Sequence, residues 1–349
     1  MITVLIVDDS RVAQEFLAHI LSADPDLEVV GFANDGAEAV AAANTLRPDV
    51  ITMDIHMPAL DGLAATRAIL QSSPRPIVIV SASAGARGAA EVFRALEAGA
   101  LAVVLRPPAI GRPEHAAAAR ALIQTVKTMS EIRVMKRFVR ERGTAPLLAL
   151  RPPAAAVIQL IAMGASIGGP PALLKILSRL PRDLPVPVLI VQHIAPGFVE
   201  GFVDWLAEAS GFHVQVAAHG QQPEPGQGYV APDGCHMGLD SGARIMLSSH
   251  APEHGSRPSV AYLFRSVAQV MGPRAVGVLL TGMGRDGADG LKLMKDRGAI
   301  TMAQDETSSV VHGMPGEAIK LGGASYVLPP ESMAAMLLKL VGTATGAAR

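Results

Sequence analysis

Residues 3–10 read Thr-Val-Leu-Ile-Val-Asp-Asp-Ser, an aliphatic run that ends abruptly in two acids and a serine. Five aliphatic runs occur in the first 125 residues, separated by stretches with helical apolar spacing. The predicted strands are residues 3–7, 29–32, 50–53, 77–80 and 101–105. Buried strands that alternate with helices predict a doubly wound α/β domain with a five-stranded parallel sheet.

The second half of the chain repeats this pattern with five further aliphatic runs. These predicted strands are residues 157–163, 186–191, 214–217, 244–247 and 275–280. We therefore expect a second, larger doubly wound α/β domain whose sheet is mainly parallel, with an antiparallel edge left open. Two domains also agree with the length of 349 residues, because about 150 residues per domain is usual.

A short basic segment separates the two halves. Residues 126–154 contain 7 basic and 2 acidic side chains, whereas residues 1–125 contain 9 and 14. Helical apolar spacing continues from residue 113 to residue 142, and glycine and proline residues then interrupt it. We expect a first domain over residues 1–125, a helical extension and linker over 126–154, and a second domain over 155–349.

The composition excludes several classes of protein. With 50% hydrophobic and 17% charged residues the chain is expected to be globular, and its net charge of -1 argues against general binding to nucleic acid or anionic lipid. The single cysteine, Cys235, excludes an intrachain disulfide and multi-cysteine metal motifs. We find no signal peptide or membrane-spanning pattern, and we expect a cytoplasmic protein that does not insert into membranes.

Acidic residues follow two predicted strands of the first domain, Asp8 and Asp9 after the first and Asp54 after the third. The carboxyl ends of parallel strands share one edge of a sheet, so we expect these three carboxylates in one crevice. Carboxylates repel one another unless a cation lies among them, and oxygen ligands favour Mg²⁺. The alternative interpretation is structural, with Asp8 and Asp9 as helix caps and Asp54 as a turn residue.

With these acids the first domain resembles the receiver domain of two-component response regulators. The matching stretches are Val-Asp-Asp-Ser at 7–10, Met-Asp-Ile-His-Met-Pro-Ala-Leu-Asp-Gly at 53–62 and Val-Ser at 80–81. The resemblance implies that Asp54 accepts a phosphoryl group from a sensor histidine kinase, and that Ser81 and Arg106 contact this group. It implies the following ligands for Mg²⁺: Asp8, Asp9, Asp54 and the backbone carbonyl of His56.

Two residues depart from the receiver pattern. Arg106 occupies the position at which the family has a lysine, and Val103 occupies the position of an aromatic switch residue. Arginine keeps the positive charge, but its planar fork is not equivalent to a compact ammonium group. We expect Mg²⁺ binding to persist, while an alternative function is a regulatory module whose receiver is not switched by phosphorylation.

In the second domain, Ser166 stands in the sequence Gly-Ala-Ser-Ile-Gly-Gly at 164–169, between a predicted strand and an amphipathic run. Glycines on both sides let a substrate approach the hydroxyl and let the turn take a positive φ. Amides at the start of the following helix would favour a developing oxyanion. Such a turn predicts a nucleophilic serine, although a phosphate-binding or purely structural turn has the same appearance.

A nucleophilic serine requires a base and a carboxylate that orients the base. His193 follows the next predicted strand, and Asp286 lies in a glycine-rich loop after the strand at 275–280, so both belong to the same edge as Ser166. His236 is a rival for the base. The order Ser, His, Asp disfavours a lipase-like esterase, in which the acid precedes the histidine.

A histidine metal site is disfavoured. His250 and His254 are four residues apart, but Pro252 between them prevents the helix that would bring both onto one face.

The second domain resembles the catalytic domain of chemotaxis protein-glutamate methylesterases. The matching stretches are residues 164–169, 192–198, 229–237, 257–260 and 277–290. The resemblance implies that Ser166 is the nucleophile, His193 the general base and Asp286 its orienting acid, and that the backbone amide of Met283 lies in the oxyanion hole. Ile167 departs from the family, which commonly has threonine there.

This resemblance also implies what the protein acts on. The expected substrate is a glutamyl γ-methyl ester on a methylated chemoreceptor, and receptor glutamines would be deamidated by the same route. The receiver would regulate the esterase, which itself needs no cofactor. A response regulator that binds DNA is disfavoured, because residues 155–349 have a net charge of -1 and lack a basic helix-turn-helix pattern.

Overall fold

The computed structural model describes residues 1–82, 86–132 and 157–342, and for residues 86–90 it describes the backbone only. The described residues form two compact units, one on each side of residue 140. No described helix combines the length and the apolar character needed to cross a lipid bilayer.

The amino-terminal unit alternates strands and helices throughout. Its elements are β1 (Ile2–Val7), α1 (Arg11–Leu21), β2 (Leu27–Ala33), α2 (Gly36–Leu46), β3 (Val50–Met53), α3 (Gly62–Ser72), β4 (Ile77–Ser81), α4 (Ala86–Ala98), β5 (Ala102–Leu105) and α5 (His115–Ser130). The strands form one parallel sheet in the order β2-β1-β3-β4-β5. The predicted five-stranded parallel sheet is confirmed.

The burial of the central strands shows that helices cover both faces of this sheet. Every residue of β3 and β4 is buried, as expected for strands covered on both faces. Helix α1 contacts α5, while α2, α3 and α4 contact one another in succession, so the helices form two groups. Helix α5 ends at Ser130, and most of the predicted helical extension lies in residues 133–156, outside the described residues.

The carboxyl-terminal unit is larger. Its elements are β6 (Leu160–Ala165), α6 (Gly169–Leu177), β7 (Val188–Gln192), α7 (Val199–Ser210), β8 (His213–Val216), β9 (Gln227–Val230), β10 (His236–Leu239), β11 (Ile245–Ser248), α8 (Val260–Val270), β12 (Ala275–Leu279), α9 (Ala288–Asp296), β13 (Ile300–Gln304), α10 (Met314–Lys320), β14 (Tyr326–Leu328) and α11 (Pro330–Gly342). Seven strands form a sheet in the order β14-β13-β12-β6-β7-β9-β8.

All pairings in this seven-stranded sheet are parallel, including those of its edge strands β14 and β8. The prediction of a larger, mainly parallel α/β domain is therefore confirmed. An antiparallel edge strand, which the sequence analysis considered as an alternative, is not found among the described strands of this sheet. The antiparallel pairing instead belongs to a separate two-stranded sheet, β10-β11. This hairpin contacts helix α8, whose Leu263, Phe264 and Val267 belong to the core.

Candidate active site and candidate metal site

Ser166 lies at the first position after the central strand β6. Its N–H donates to the Thr281 carbonyl over 3.0 Å, and the Thr281 hydroxyl donates to the Ile167 carbonyl over 2.9 Å. The turn then passes through Gly168, whose φ of 75° is in the left-handed region that favours glycine. A Cβ on Gly282 would lie 2.7 Å from the Ser166 Cβ, so only glycine allows this close approach. The serine is therefore held between two loops.

His193 and Asp286 are brought together at the same edge of the sheet. His193 follows β7, and its N–H donates to the carbonyl of Ala165, the residue before Ser166, over 3.0 Å. The His193 Nε2 lies 3.0 Å from Asp286 Oδ2. The ring N–H is not well aligned with that oxygen, a common feature of catalytic contacts in enzymes without substrate. The histidine side chain is 17% exposed and that of the aspartate 4%.

Asp286 lies against the amino terminus of helix α8. Its Oδ1 accepts from the Ser259 hydroxyl at 2.8 Å and from the Ala261 N–H at 3.0 Å, and its Oδ2 accepts from the Val260 N–H at 2.7 Å. Burial by itself would raise the pKa of Asp286, but the contact with His193 and the two amides outweigh burial and hold this pKa below its ordinary value. The carboxylate is ionised at neutral pH.

His236 has a structural role in this arrangement. It is fully buried, its Nδ1 accepts from the Ser259 N–H at 3.2 Å, and its Nε2 faces the Ala251 carbonyl at 3.0 Å. Because one ring nitrogen accepts and the other donates, neither is available to take a proton from a serine. His250 and His254 form no metal-ligand group within the described part of the chain.

The loop that carries Asp286 also presents a free amide. The Met283 N–H has no hydrogen-bond acceptor among the described residues, and the Met283 side chain is 40% exposed. Its neighbour Gly282 makes the close approach to Ser166 described above. An amide in this position is available to a substrate oxygen.

The structure adds a contact for Ser259, a residue that lies in the matching stretch 257–260 but to which the sequence analysis gave no role. Its distance of 27 residues from Asp286 gave no reason to connect the two. The available signal was its position before the amphipathic run at 260–270, since serine is a preferred residue at the start of a helix.

In the amino-terminal unit the three predicted acids do converge. Carboxylate oxygens of Asp8, Asp9 and Asp54 lie within 4.8 Å of one another. Burial raises the pKa of Asp8, and burial together with the charge of Asp8 raises the pKa of Asp54. An all-oxygen donor set with unfavourable mutual repulsion fits a hard divalent cation such as Mg²⁺.

Arg106 is the cation nearest to these acids. Its Nη2 lies 2.5 Å from Asp8 Oδ2, and its Nε has no partner among the described residues. Ser81 is the last residue of β4, and the Arg106 N–H donates to the Ser81 carbonyl over 2.8 Å. Val103 is buried within β5. The His56 imidazole contacts Glu91 at 2.8 Å.

Together, fold and sites define a class of protein, a response-regulator-like α/β unit followed by a serine-hydrolase-like α/β unit. Residues 4–116 match the family model of the response regulator receiver domain, and residues 161–337 match that of the CheB methylesterase. The chain belongs to the CheB methylesterase family, and the predicted resemblance to response regulator methylesterases is confirmed.

Proteins of similar sequence match this chain over nearly its whole length. A protein-glutamate methylesterase/protein-glutamine glutaminase of Nitrosospira multiformis is 54% identical over 98% of this chain and 97% of its own length. A relative of Syntrophus aciditrophicus named protein-glutamate methylesterase/protein-glutamine glutaminase 1 is 51% identical over 98% and 99%. The crystal structure of the Thermotoga maritima CheB methylesterase catalytic domain is 33% identical with a TM-score of 0.51, covering 53% of this chain and all of that chain.

Proposed function

We propose that this protein hydrolyses glutamyl γ-methyl esters on chemoreceptors and that the Ser166, His193 and Asp286 side chains carry out the reaction. The observation that carries this proposal is the 3.0 Å contact between His193 and an ionised, buried Asp286, next to the strand end that bears Ser166. The names of the relatives supply the substrate class, since they combine methylesterase with glutaminase.

In the proposed reaction, the Ser166 Oγ attacks the ester carbonyl carbon. With Nε2 turned to Asp286, the basic nitrogen of neutral His193 is Nδ1, which takes the serine proton and then returns it to the leaving methoxide. The Met283 amide donates to the oxyanion of the tetrahedral intermediate. Water attacks the acyl-serine in the second half, freeing the glutamate carboxylate. A glutamine side chain would follow the same steps and release ammonia.

The second part of the proposal concerns the receiver unit. The Asp54 carboxylate attacks the phosphorus of a phosphohistidine on a sensor histidine kinase. The P–N bond breaks, the kinase histidine leaves, and an aspartyl phosphate forms. Asp8, Asp9, Asp54 and the His56 carbonyl would hold Mg²⁺, which when bound neutralises charge on the phosphoryl oxygens. Ser81 and Arg106 would contact the phosphoryl group. Arg106 must give up or share its contact with Asp8 to do so.

We also propose that residues 1–125 are a receiver domain that regulates the esterase, residues 126–154 a helical extension and linker, and residues 155–349 the catalytic domain. The basic side chains Lys136, Arg137, Arg140 and Arg142, which we expect to contact acidic receiver surface, lie outside the described residues. If the unphosphorylated receiver inhibits the esterase, deletion of residues 1–154 raises the basal rate. A truncated protein no faster than the full chain would reject this inhibition.

Release of methanol from methylated receptor membranes tests the catalytic proposal. We expect the full-length protein to release methanol and Ser166→Ala to lose that activity. A Ser166→Ala protein that kept a tenth of the rate or more would show that Ser166 is not the nucleophile. Activity of the wild type on receptor glutamines, followed as ammonia release, tests the deamidation.

A further inference from the structure

The carboxylate of Asp286 is 4% exposed and accepts hydrogen bonds from several donors. Three of them come from one short stretch, the hydroxyl of Ser259 and the amides of Val260 and Ala261, at 2.7 to 3.0 Å. Only Oδ2 also reaches His193. The direction in which Asp286 points is therefore decided by the start of helix α8.

From these contacts we infer that Ser259 is a positioning residue for the esterase reaction, which acts through Asp286 on the basicity and orientation of His193. This inference rests on the proposed function of Ser166, His193 and Asp286. The hydroxyl of Ser259 is the only side-chain donor to Asp286 apart from His193 among the described residues. The other two donors are backbone amides, which remain after any substitution other than one by proline.

The Ser259 hydroxyl performs two tasks at once. It accepts from the Tyr262 N–H at 3.3 Å, the usual contact of a serine at the start of a helix, and it donates its own proton to Asp286 Oδ1. The acceptor task alone would satisfy the helix, but a buried hydroxyl also needs an acceptor for its proton. Here the proton has a charged acceptor, which makes the bond stronger than one between neutral groups.

The backbone of Ser259 is fixed from its other side. The buried His236 accepts from the Ser259 N–H, and its ring stacks on Tyr262 with the centroids 4.7 Å apart. Ser259 and His236 are both fully buried, so water does not replace either contact. A chain of buried contacts thus runs from His236 through Ser259 and Asp286 to His193.

Removal of the Ser259 hydroxyl has a predictable effect on acid–base behaviour. Asp286 loses a donor that stabilises its charged form, so the proton affinity of the Asp286–His193 pair rises. The acid limb of the profile of kcat/KM against pH, which reports protonation of the base in the free enzyme, moves to higher pH. Substrate binding is not touched, so kcat falls and KM does not change.

The test uses full-length protein and methanol release from methylated receptor membranes over a range of pH. For Ser259→Ala we expect kcat to fall about tenfold, as for a lost hydrogen bond to a charged group, with the acid limb shifted upward. Ser259→Thr keeps the hydroxyl and restores both values. Ser266→Ala is the matched control, because it removes another hydroxyl of helix α8, bonded to Leu239 and Leu263 and not to Asp286.

A Ser259→Ala protein with the kcat and pH profile of Ser266→Ala would overturn the inference and leave the triad untouched. Retention of activity by Ser166→Ala would instead overturn the proposed function. Where Ser259→Ala is too unstable to assay, Ser259→Cys fills the buried space with a weak donor and is expected to shift the acid limb in the same direction. An unshifted profile in Ser259→Cys would equally reject the positioning role.

Discussion

The two units treat a carboxylate that follows a strand in opposite ways. In the amino-terminal unit, Asp54 lies beside two other acids, and burial and the charge of Asp8 raise its pKa. In the carboxyl-terminal unit, Asp286 is at least as buried, yet its pKa is lowered. Both sites lie where parallel strands end, so the topology does not account for the difference.

The difference comes from the donors around each carboxylate. Asp286 accepts from a hydroxyl and two amides that are built into the start of a helix, and the contact with His193 together with the two amides outweighs the cost of burial. Asp8 accepts from the Ser10 N–H at 2.9 Å and from Arg106, but at Asp8 and Asp54 burial and the charge of a neighbouring acid outweigh the groups that stabilise the carboxylate. We conclude that the groups stabilising the Asp286 carboxylate belong to the fold, whereas the cluster of Asp8, Asp9 and Asp54 would be stabilised by a bound cation.

The largest expected effect concerns the catalytic side of this comparison. Ser166→Ala and His193→Ala should each lower kcat by roughly 10³-fold or more, with Asp286→Asn somewhat milder, because the three side chains act as a unit. The losses should not add in a double variant. Steady-state methanol release measures all of them, and additive losses would argue against a common unit.

The next prediction concerns the receiver side. Asp54→Ala should abolish labelling of the protein by a small phosphodonor, while wild-type protein is labelled in Mg²⁺ and not after chelation. Phosphate content is measured by mass spectrometry of the intact chain. Labelling that survives Asp54→Ala would place the phosphoryl group elsewhere, and absence of Mg²⁺ binding by calorimetry would reject the metal site.

The sequence could predict that a candidate site residue lies at the edge of the sheet where that residue directly follows a strongly apolar strand. Asp54 after β3 and His193 after β7 are examples in which the strand end fixed the position of the side chain. The support of Asp286 by Ser259 was not predictable in this way, because it depends on how α8 packs against the loop after β12. The sequence at the start of a helix does not show which residues pack against it.

Some strands were missed for a related reason. Strand β9 includes Gly228, and strand β13 includes the buried polar residues Thr301 and Gln304. The side chains of Thr301 and Gln304 form hydrogen bonds with neighbouring loops. Strand β14 is only three residues long and half-exposed at the sheet edge. Their apolar patterns were too short or too interrupted for a prediction from periodicity.

A further prediction concerns the effect of Arg106 on the binding of Mg²⁺ to the amino-terminal unit. The Arg106 guanidinium contacts the Asp8 carboxylate, which would also bind the metal ion, so we expect the two cations to compete. Arg106→Ala should tighten the binding of Mg²⁺ by about tenfold, measured by isothermal titration calorimetry, an effect of the size expected for one charge-assisted contact. Arg94→Ala, which removes an exposed arginine of the same unit, is the control and should leave the affinity unchanged. Weaker binding in Arg106→Ala would contradict the competition.

Replacement of aspartate by asparagine at both sites tests the comparison between the two carboxylates. At neutral pH without metal, Asp54→Asn should raise the stability of the amino-terminal unit by about 1 kcal/mol, because it removes a charge whose ionisation the folded state disfavours. Asp286→Asn should lower the stability of the other unit by about 1 kcal/mol, since the amide satisfies the donors less well.

The pH dependence has the opposite sign at the two sites. For Asp54 the folded pKa is raised, so its destabilising contribution develops as pH rises above the ordinary value of 3.8 and is complete above the folded pKa. For Asp286 the folded pKa is lowered, so its stabilising contribution is present above 3.8 and is lost as pH falls through the folded pKa. Each aspartate-to-asparagine change should remove the corresponding dependence.

The most direct measurement is denaturant unfolding of the full-length metal-free protein and its Asp54→Asn and Asp286→Asn variants at neutral pH. The single tryptophan, the buried Trp205, reports the carboxyl-terminal unit by fluorescence, and hydrogen exchange of β1 and β3 reports the amino-terminal unit. The account predicts a more stable amino-terminal unit in Asp54→Asn and a less stable carboxyl-terminal unit in Asp286→Asn. Changes of the same sign in the unfolding free energy of the two units would contradict this account.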